Sequence, residues 1–188
     1  VAIADIAPTP LVAATSALPP ALRYPHPMPT LRPTTPADAA FLRQMTYEAI
    51  HWRDGERPSI DDTFATPALA IIIDAWGRPG DSGLVAIADD GEPIGAAWYR
   101  TFTADHHAYG FVDEAIPEIS IGLARGARDR GLGTLLLTAL LAHARDARLT
   151  QLSLAVEQAN ARAHHIYAKL GFRIVRSSPE DHVMLIDL

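Results

Sequence analysis

Leucines recur at three- and four-residue spacing after Gly131: Leu132, Leu136 and Leu140 form one row, with Leu137, Leu141 and Ala144 beside it. A helix brings such rows onto one face, so the pattern predicts an amphipathic helix running to about Arg148. Phe41, Met45 and Ala49 repeat every four residues. Thr35 or Asp38 can cap the helix they imply, which extends through Ile50. A second helix is predicted from Ile60 to Trp76, where Pro67 must start it afresh or kink it. Strand patterns lie around these helices. Leu31-Arg32-Pro33 reads as a short edge strand, and Leu84, Ala86 and Ala88 form one side of another. Asp89-Asp90-Gly91 supplies a hairpin turn to a partner strand from Pro93 to about Thr103. Glu118 to Leu123 reads as a buried strand and Leu149 to Glu157 as an alternating one. Asn160 caps a helix reaching Leu170, which Gly171 terminates, and Phe172–Val175 and Val183–Ile186 supply two last strands. Written out as βααββββαβαββ, with no internal repeat, the order fits an α/β domain: one mixed central sheet flanked by helices.

Residues 1–28 share none of this periodicity. They are rich in Ala and Pro and read as an N-terminal arm, which leaves residues 29–188 as a single domain. At 48% apolar and 20% charged residues, the composition is that of an ordinary soluble domain. No window approaches the roughly 18 consecutive apolar residues of a membrane span. The first residues lack a basic stretch and are broken by Pro8, Pro10, Pro19 and Pro20, unlike a signal peptide, so a cytoplasmic location is expected. The chain has no Cys, which excludes disulfides, thiolate metal ligands and a covalent cysteine mechanism together. A net charge of -6 argues against nucleic-acid binding and permits a cationic substrate.

Two signals sit where an α/β sheet binds ligands, at strand ends that meet helix N-termini. The first is Arg128-Asp129-Arg130-Gly131-Leu132-Gly133-Thr134, between the buried strand and the leucine-rich helix. Its glycines let the backbone approach an anion, and unpaired amides with the helix dipole favour a phosphate, a pyrophosphate above all. A tight strand-to-helix turn without ligand is the other, weaker reading of the heptapeptide. Gly126 to Gly131 has the spacing of a nucleotide-hydrolysing phosphate loop, but Leu132 stands where its lysine would be. The dinucleotide fingerprint fails too, since Leu136 replaces a third glycine or alanine. The second signal is Asn160 followed by Tyr167, two helical turns on and therefore on the same face, and then Gly171-Phe172. An Asn at a strand mouth can hold an amide-bearing ligand, and a phenol of ordinary pKa near about 10 can give up a proton at neutral pH. Taken alone, Asn160 reads as a helix cap and Tyr167 as a core aromatic with a polar tip.

Together these residues resemble the GCN5-related N-acetyltransferase (GNAT) superfamily. Arg128-x-x-Gly131-x-Gly133 is similar to its pyrophosphate-binding motif, and Asn160 with Tyr167-Ala168-Lys169-Leu170-Gly171-Phe172 is similar to its C-terminal signature. The resemblance covers Glu118 to Leu188 by motif and Leu31 to Thr103 by element order, and residues 1–28 lie outside it. It implies that acetyl-coenzyme A is the acyl donor and that no metal is needed. Amides of Ile121, Gly122 and Leu123 would pair with pantetheine like an added strand. Those of Asp129, Arg130, Gly131, Leu132, Gly133 and Thr134 would hold the pyrophosphate, Arg128 or Arg130 would add charge, and Asn160 would hold the cofactor. The implied chemistry is direct attack of a neutral primary amine, on a small molecule or a peptide, upon the thioester. Tyr167 would protonate the departing thiolate and Glu118 would remove the amine's proton. A second base position, five residues before Asn160, is Ala155 here, with Glu157 two residues displaced.

The implied partner is thus the amine alone, with no nucleic acid and no membrane, and the chain a monomer or homodimer. A catalytically silent acyl-CoA-binding or sensing domain is the alternative. Substrate choice is expected in the first two helices and the loop from Thr103 to Pro117. Adjacent His106 and His107 point apart in extended chain and belong to a loop surface rather than a metal site. His164 and His165 lie between Asn160 and Tyr167, with solvent or the acceptor cleft as their surroundings. Trp52, Trp76, Trp98 and Tyr99 are candidates for core or cleft.

Overall fold

The computed structural model describes residues 28–188. All but the last residue of the expected N-terminal arm therefore lies outside the described residues. The described elements are β1 (Thr30–Pro33), α1 (Ala39–Ile50), α2 (Ile60–Phe64), α3 (Pro67–Ala70), β2 (Ser82–Ile87), β3 (Pro93–Arg100), β4 (Glu118–Leu123), α4 (Leu132–Asp146), β5 (Gln151–Glu157), α5 (Ala161–Lys169), β6 (Arg173–Ser177) and β7 (Asp181–Asp187). They form one seven-stranded sheet in the order β1-β2-β3-β4-β5-β7-β6. All pairings are antiparallel except that of β4 with β5. The expected mixed sheet with flanking helices is observed. Three strands rather than four stand between the early helices and α4, because the chain from Thr101 to Pro117 makes only a lone bridge, Thr103 with His106. The expected second helix divides at Pro67, which opens α3 because its missing N–H costs nothing in a first turn.

Strand alternation sorts the core onto the two faces of the sheet. Leu84, Ala86, Ala97, Tyr99 and Ile119 pack under α4 and α5, where the leucine rows of α4 are buried as the spacing predicts. Val85, Ala96 and Trp98 meet Leu42 and Met45 of α1 together with Ile72, Ile73 and Trp76. The segment after α3 is held by Arg100, which is 1% exposed and donates to both carboxylate oxygens of Asp81 at 3.0 and 2.7 Å and to the carbonyl of Ile71 at 2.6 Å. The Asp89-Asp90-Gly91 turn closes as expected, with Gly91 at φ 87° and its amide on the Ala88 carbonyl. Gly171, at φ 100°, ends α5 with bonds from its own amide to Ala168 and from Phe172 to Tyr167, the paired bonds of a Schellman motif. No helix among the described residues is long and apolar enough to cross a membrane.

One contact sets the position of α1. A Cβ on Gly122 would lie 2.0 Å from the Met45 carbonyl oxygen, so the helix rests directly on the strand backbone. Overpacking of this kind typically costs about 1–3 kcal/mol. Gly122→Ala is accordingly expected to lower unfolding stability by about that amount in chemical denaturation; a wild-type midpoint would contradict the contact.

Candidate active site

β4 and β5 pair at a single position, Glu118 opposite Ser153, and then diverge. The Ser153 amide bonds to the Pro117 carbonyl, and beyond it the facing edges of the two strands bound a cleft. Backbone alternation decides which groups face the opening. Ala124 donates to Ile94 on β3, and register runs unbroken through Gly122 with Ala96, so the even-numbered residues of β4 bond to β3. Amides of Ile121 and Leu123 therefore face the cleft. That of Gly122 faces β3, so the expected ligand role of its amide does not fit this alternation; its part is the close approach of α1.

The cleft continues to the N-terminus of α4 in a cavity of about 1300 Å³. Among the described residues, none of the amides from Asp129 to Thr134 donates to a backbone carbonyl; the first that does is Leu135, to Gly131. Their convergence follows from the backbone: Asp129 at φ 65° and Gly131 at φ 85° both take left-handed conformations before the helix begins. Gly133 is not required by packing. A Cβ there would meet only Leu123 Cδ1, at 3.6 Å. Arg128 is turned away from this loop, donating to Glu48 Oε2 at 2.8 Å and to the carbonyls of Glu48 and Trp52 at 2.9 and 3.1 Å. It ties the end of α1 to the loop, so its expected charge toward an anion is spent on Glu48. Arg130 is exposed and has no side-chain partner among the described residues, whereas Asp129 pairs with Arg162.

Glu118 and Tyr167 line the same cavity from opposite faces of the sheet. Ile119 belongs to the core under α4 and α5, as does Tyr167, so Glu118 projects to the α1 side, as Gly122 does. Glu118 is 6% exposed; its Oε1 accepts the Gly110 amide at 2.8 Å and its Oε2 has no partner among the described residues. Burial pushes its pKa up to about 7, against the lowering effects of the Gly110 amide and Arg176. Burial likewise pushes Tyr167 up to about 12, which keeps the phenol protonated at neutral pH. Asn160 caps α5 by accepting the Ala163 amide at 3.1 Å, and it lines the cavity as well. Ala155 and Glu157 line it on the α1 side, Glu157 held by Arg53 at 2.9 Å.

Gly110 was not a candidate in the sequence. A Cβ on it would stand 2.7 Å from the Ala155 nitrogen and 2.8 Å from Glu118 Cδ, so only glycine lets the loop reach the carboxylate. The signal lay in a loop without periodicity, where a single glycine says nothing of what it approaches. His107 stacks on Phe111 at 4.6 Å and His106 is exposed, as a loop surface requires. Among the described residues no group of three or more metal-binding side chains converges. His165 is exposed and His164 packs edge-on against His182 at 5.0 Å. Trp76 and Tyr99 are core; Trp52 and Trp98 reach the cavity.

Comparison with known proteins agrees with this geometry. Residues 46–172, more than half of the chain, match the model of the acetyltransferase (GNAT) family. A search of curated proteins finds no match. Solved structures share the fold. Ribosomal-protein-alanine N-acetyltransferase from Brucella melitensis superposes with a TM-score of 0.60 at 22% identity, over 85% of this chain and 99% of that one. For phosphinothricin acetyltransferase from Sinorhizobium meliloti, in complex with acetyl-CoA, the values are 0.61 and 20%, over 86% and 89%. The paia N-acetyltransferase from Thermoplasma acidophilum, in complex with coenzyme A, gives 0.61 and 16%, over 85% and 99%. The fold is that of a GNAT acetyltransferase. This chain belongs to the acetyltransferase (GNAT) family.

The raised pKa of Glu118 carries a stability consequence. Between its ordinary value of 4.5 and about 7 the folded state holds a proton that the unfolded chain has lost. The contribution of Glu118 is therefore present below pH 4.5 and is lost as pH rises through about 7. The loss amounts to about 3 kcal/mol at 1.36 kcal/mol per unit. Relative to wild type, Glu118→Gln should thus be more stable at pH 8 than at pH 5 by roughly that difference in denaturant titrations. Parallel wild-type and variant curves would show that the carboxyl titrates normally.

Proposed function

We infer that the chain transfers an acetyl group from acetyl-coenzyme A to the nitrogen of a primary amine, on a small molecule or a peptide. The observation that carries this reading is the placement of a buried carboxylate with a free oxygen and a protonated phenol on opposite faces of one gap in the sheet. A domain that only bound the cofactor would gain nothing from Glu118, whose burial without a full set of partners costs stability.

The gap and the loop after it suit the cofactor. Amides of Ile121 and Leu123 lie where pantetheine amides would extend the sheet, and those from Asp129 to Thr134 form a nest for a pyrophosphate, with Arg130 free to add charge. The Asn160 side chain lines the same cavity, its NH₂ without an acceptor among the described residues while its oxygen caps α5. Acetyl-coenzyme A supplies an activated thioester, so the protein needs to move protons and hold geometry rather than form a covalent intermediate. On the α1 side, Glu118 Oε2 in its ionised form takes the proton that the amine gives up as its neutral nitrogen attacks the thioester carbonyl, and a pKa near neutrality lets the carboxyl accept and then release that proton. Across the sheet, Tyr167 gives a proton to the thiolate. Amides facing the gap stabilise the oxyanion between these two events.

Cofactor binding is tested at Gly133, where a larger residue fits the protein itself yet fills the approach to the nest. Gly133→Glu should fold and lose acetyl-CoA affinity in calorimetry, and retained affinity would move the cofactor elsewhere. Turnover is tested at the two proton-transfer groups. Tyr167→Phe should lower kcat by roughly a hundredfold to ten-thousandfold with acetyl-CoA affinity nearly unchanged. Glu118→Gln should recover rate as pH rises and more amine arrives deprotonated. A wild-type rate in the first variant, or a wild-type pH profile in the second, would remove that residue from the mechanism.

A further inference from the structure

The α1 face of the cavity carries more carboxylate than proton transfer needs. Leu154 and Val156 of β5 belong to the core under α4 and α5, so Ser153, Ala155 and Glu157 project to the opposite side with Glu118. Asp181 lies directly across from Glu157 in the β5–β7 ladder and shares that face. With Glu180 of the adjacent turn, Ala155, Glu157 and Asp181 line the same cavity as Glu118. The opposing wall is Trp52 and Arg53, where the chain leaves α1.

Cations on this face are already engaged. Arg53 is held by Glu157 at 2.9 Å and lies over the Trp52 ring, while Arg176 donates to the Tyr109 carbonyl at 3.3 Å. Among the described residues the Asp181 carboxylate has neither a salt bridge nor a hydrogen-bond donor, and Glu180 has only a 3.5 Å contact with the Ser178 hydroxyl. Burial and the neighbouring Glu157 and Glu180 raise the pKa of Asp181, against a smaller lowering effect of His182, as expected where carboxylates crowd together. A second, independent sign of a ligand is Glu118 itself, more than nine-tenths buried and with Oε2 unpartnered at the inner end of this face.

We propose that the acceptor is a dication, a small primary amine with a second positive charge that Asp181 and Glu180 hold while its reacting nitrogen lies at Glu118. This rests on the acetyltransferase reading of the site and narrows its substrate class. The spacing follows from β5: Ser153, opposite Glu118, and Glu157, opposite Asp181, are four residues apart, about 13 Å at roughly 3.3 Å per residue. Side chains reaching toward each other shorten that separation, so a charge-to-charge span on the order of 10 Å fits. Arg53 keeps Glu157 neutralised and leaves the two outer carboxylates to the ligand.

The test compares 1,8-diaminooctane with 8-amino-1-octanol, which match in length and differ in the second charge. Binding of each to the CoA-saturated protein is measured by calorimetry, and acetylation of each is measured with acetyl-CoA. The diamine should bind about tenfold more tightly, the scale of one partly screened ion pair. In a Glu180→Gln/Asp181→Asn double variant that advantage should vanish, while the amino alcohol binds and reacts as before. Equal affinities in the wild type, or an advantage that survives the double variant, would overturn the proposal. Because affinity is read without turnover, a binding preference with neither compound acetylated would instead count against acetyl transfer itself.

Discussion

The structure turns on a sheet that is allowed to come apart. A parallel pair of strands in a folded core normally satisfies its backbone groups along its whole length, since a buried amide without a partner costs about 1–3 kcal/mol. Here β4 and β5 satisfy each other at one position and then separate, leaving the amides of Ile121 and Leu123 on the wall of a cavity. That opening is tolerable because each strand is anchored on its other edge: β4 by six paired residues of β3, β5 by seven of β7. The candidate site residues are arranged around the gap. The unpaired amides before α4 lie at its mouth, Tyr167 comes from one face and Glu118 from the other.

Holding the gap open requires the two faces to be braced independently. On one side the leucine rows of α4 bury against β2, β3 and β4. On the other, α1 sits on the bare backbone at Gly122, and Arg128 ties the end of α1 to the segment before α4 through Glu48 and the Trp52 carbonyl. Gly110 completes the frame by lodging between Glu118 and β5 and directing one carboxylate oxygen inward to its own amide. The same contact leaves the second oxygen for the cavity. The frame and the candidate site therefore share residues here, and the raised pKa of Glu118 is the cost of placing a carboxylate where the sheet opens.

Much of this was legible in the sequence because local rules and the fold agree. The leucine spacing of α4, the Asn160 cap, the Gly171 stop and the alternation of Leu84 and Ala86 in β2 each have a local cause, and each appears where the pattern places it. Motif residues Gly131, Gly133, Asn160 and Tyr167 likewise converge on one cavity. Long-range consequences were not legible. Nothing local tells that Arg128 would reach 80 residues back to Glu48, or that the Gly122 amide would turn from the gap while its missing side chain admitted α1. The fourth strand written into the expected order is absent because the apolar residues between Thr101 and Pro117, such as Phe102 and Ala108, are buried by loop packing instead of by a ladder. Gly110 and the carboxylates of Glu180 and Asp181 acquire meaning only from what the sheet brings beside them.

The central claim is that the gap between β4 and β5 is where acyl-coenzyme A extends the sheet, and backbone hydrogen exchange reads it residue by residue. With saturating acetyl-CoA, the amides of Ile121 and Leu123 and those of Leu132 to Thr134 should gain protection. The Gly122 amide, already bonded toward β3, should be little changed. Unaltered exchange at Ile121 and Leu123 in the presence of bound cofactor would place the cofactor outside the gap and contradict the account.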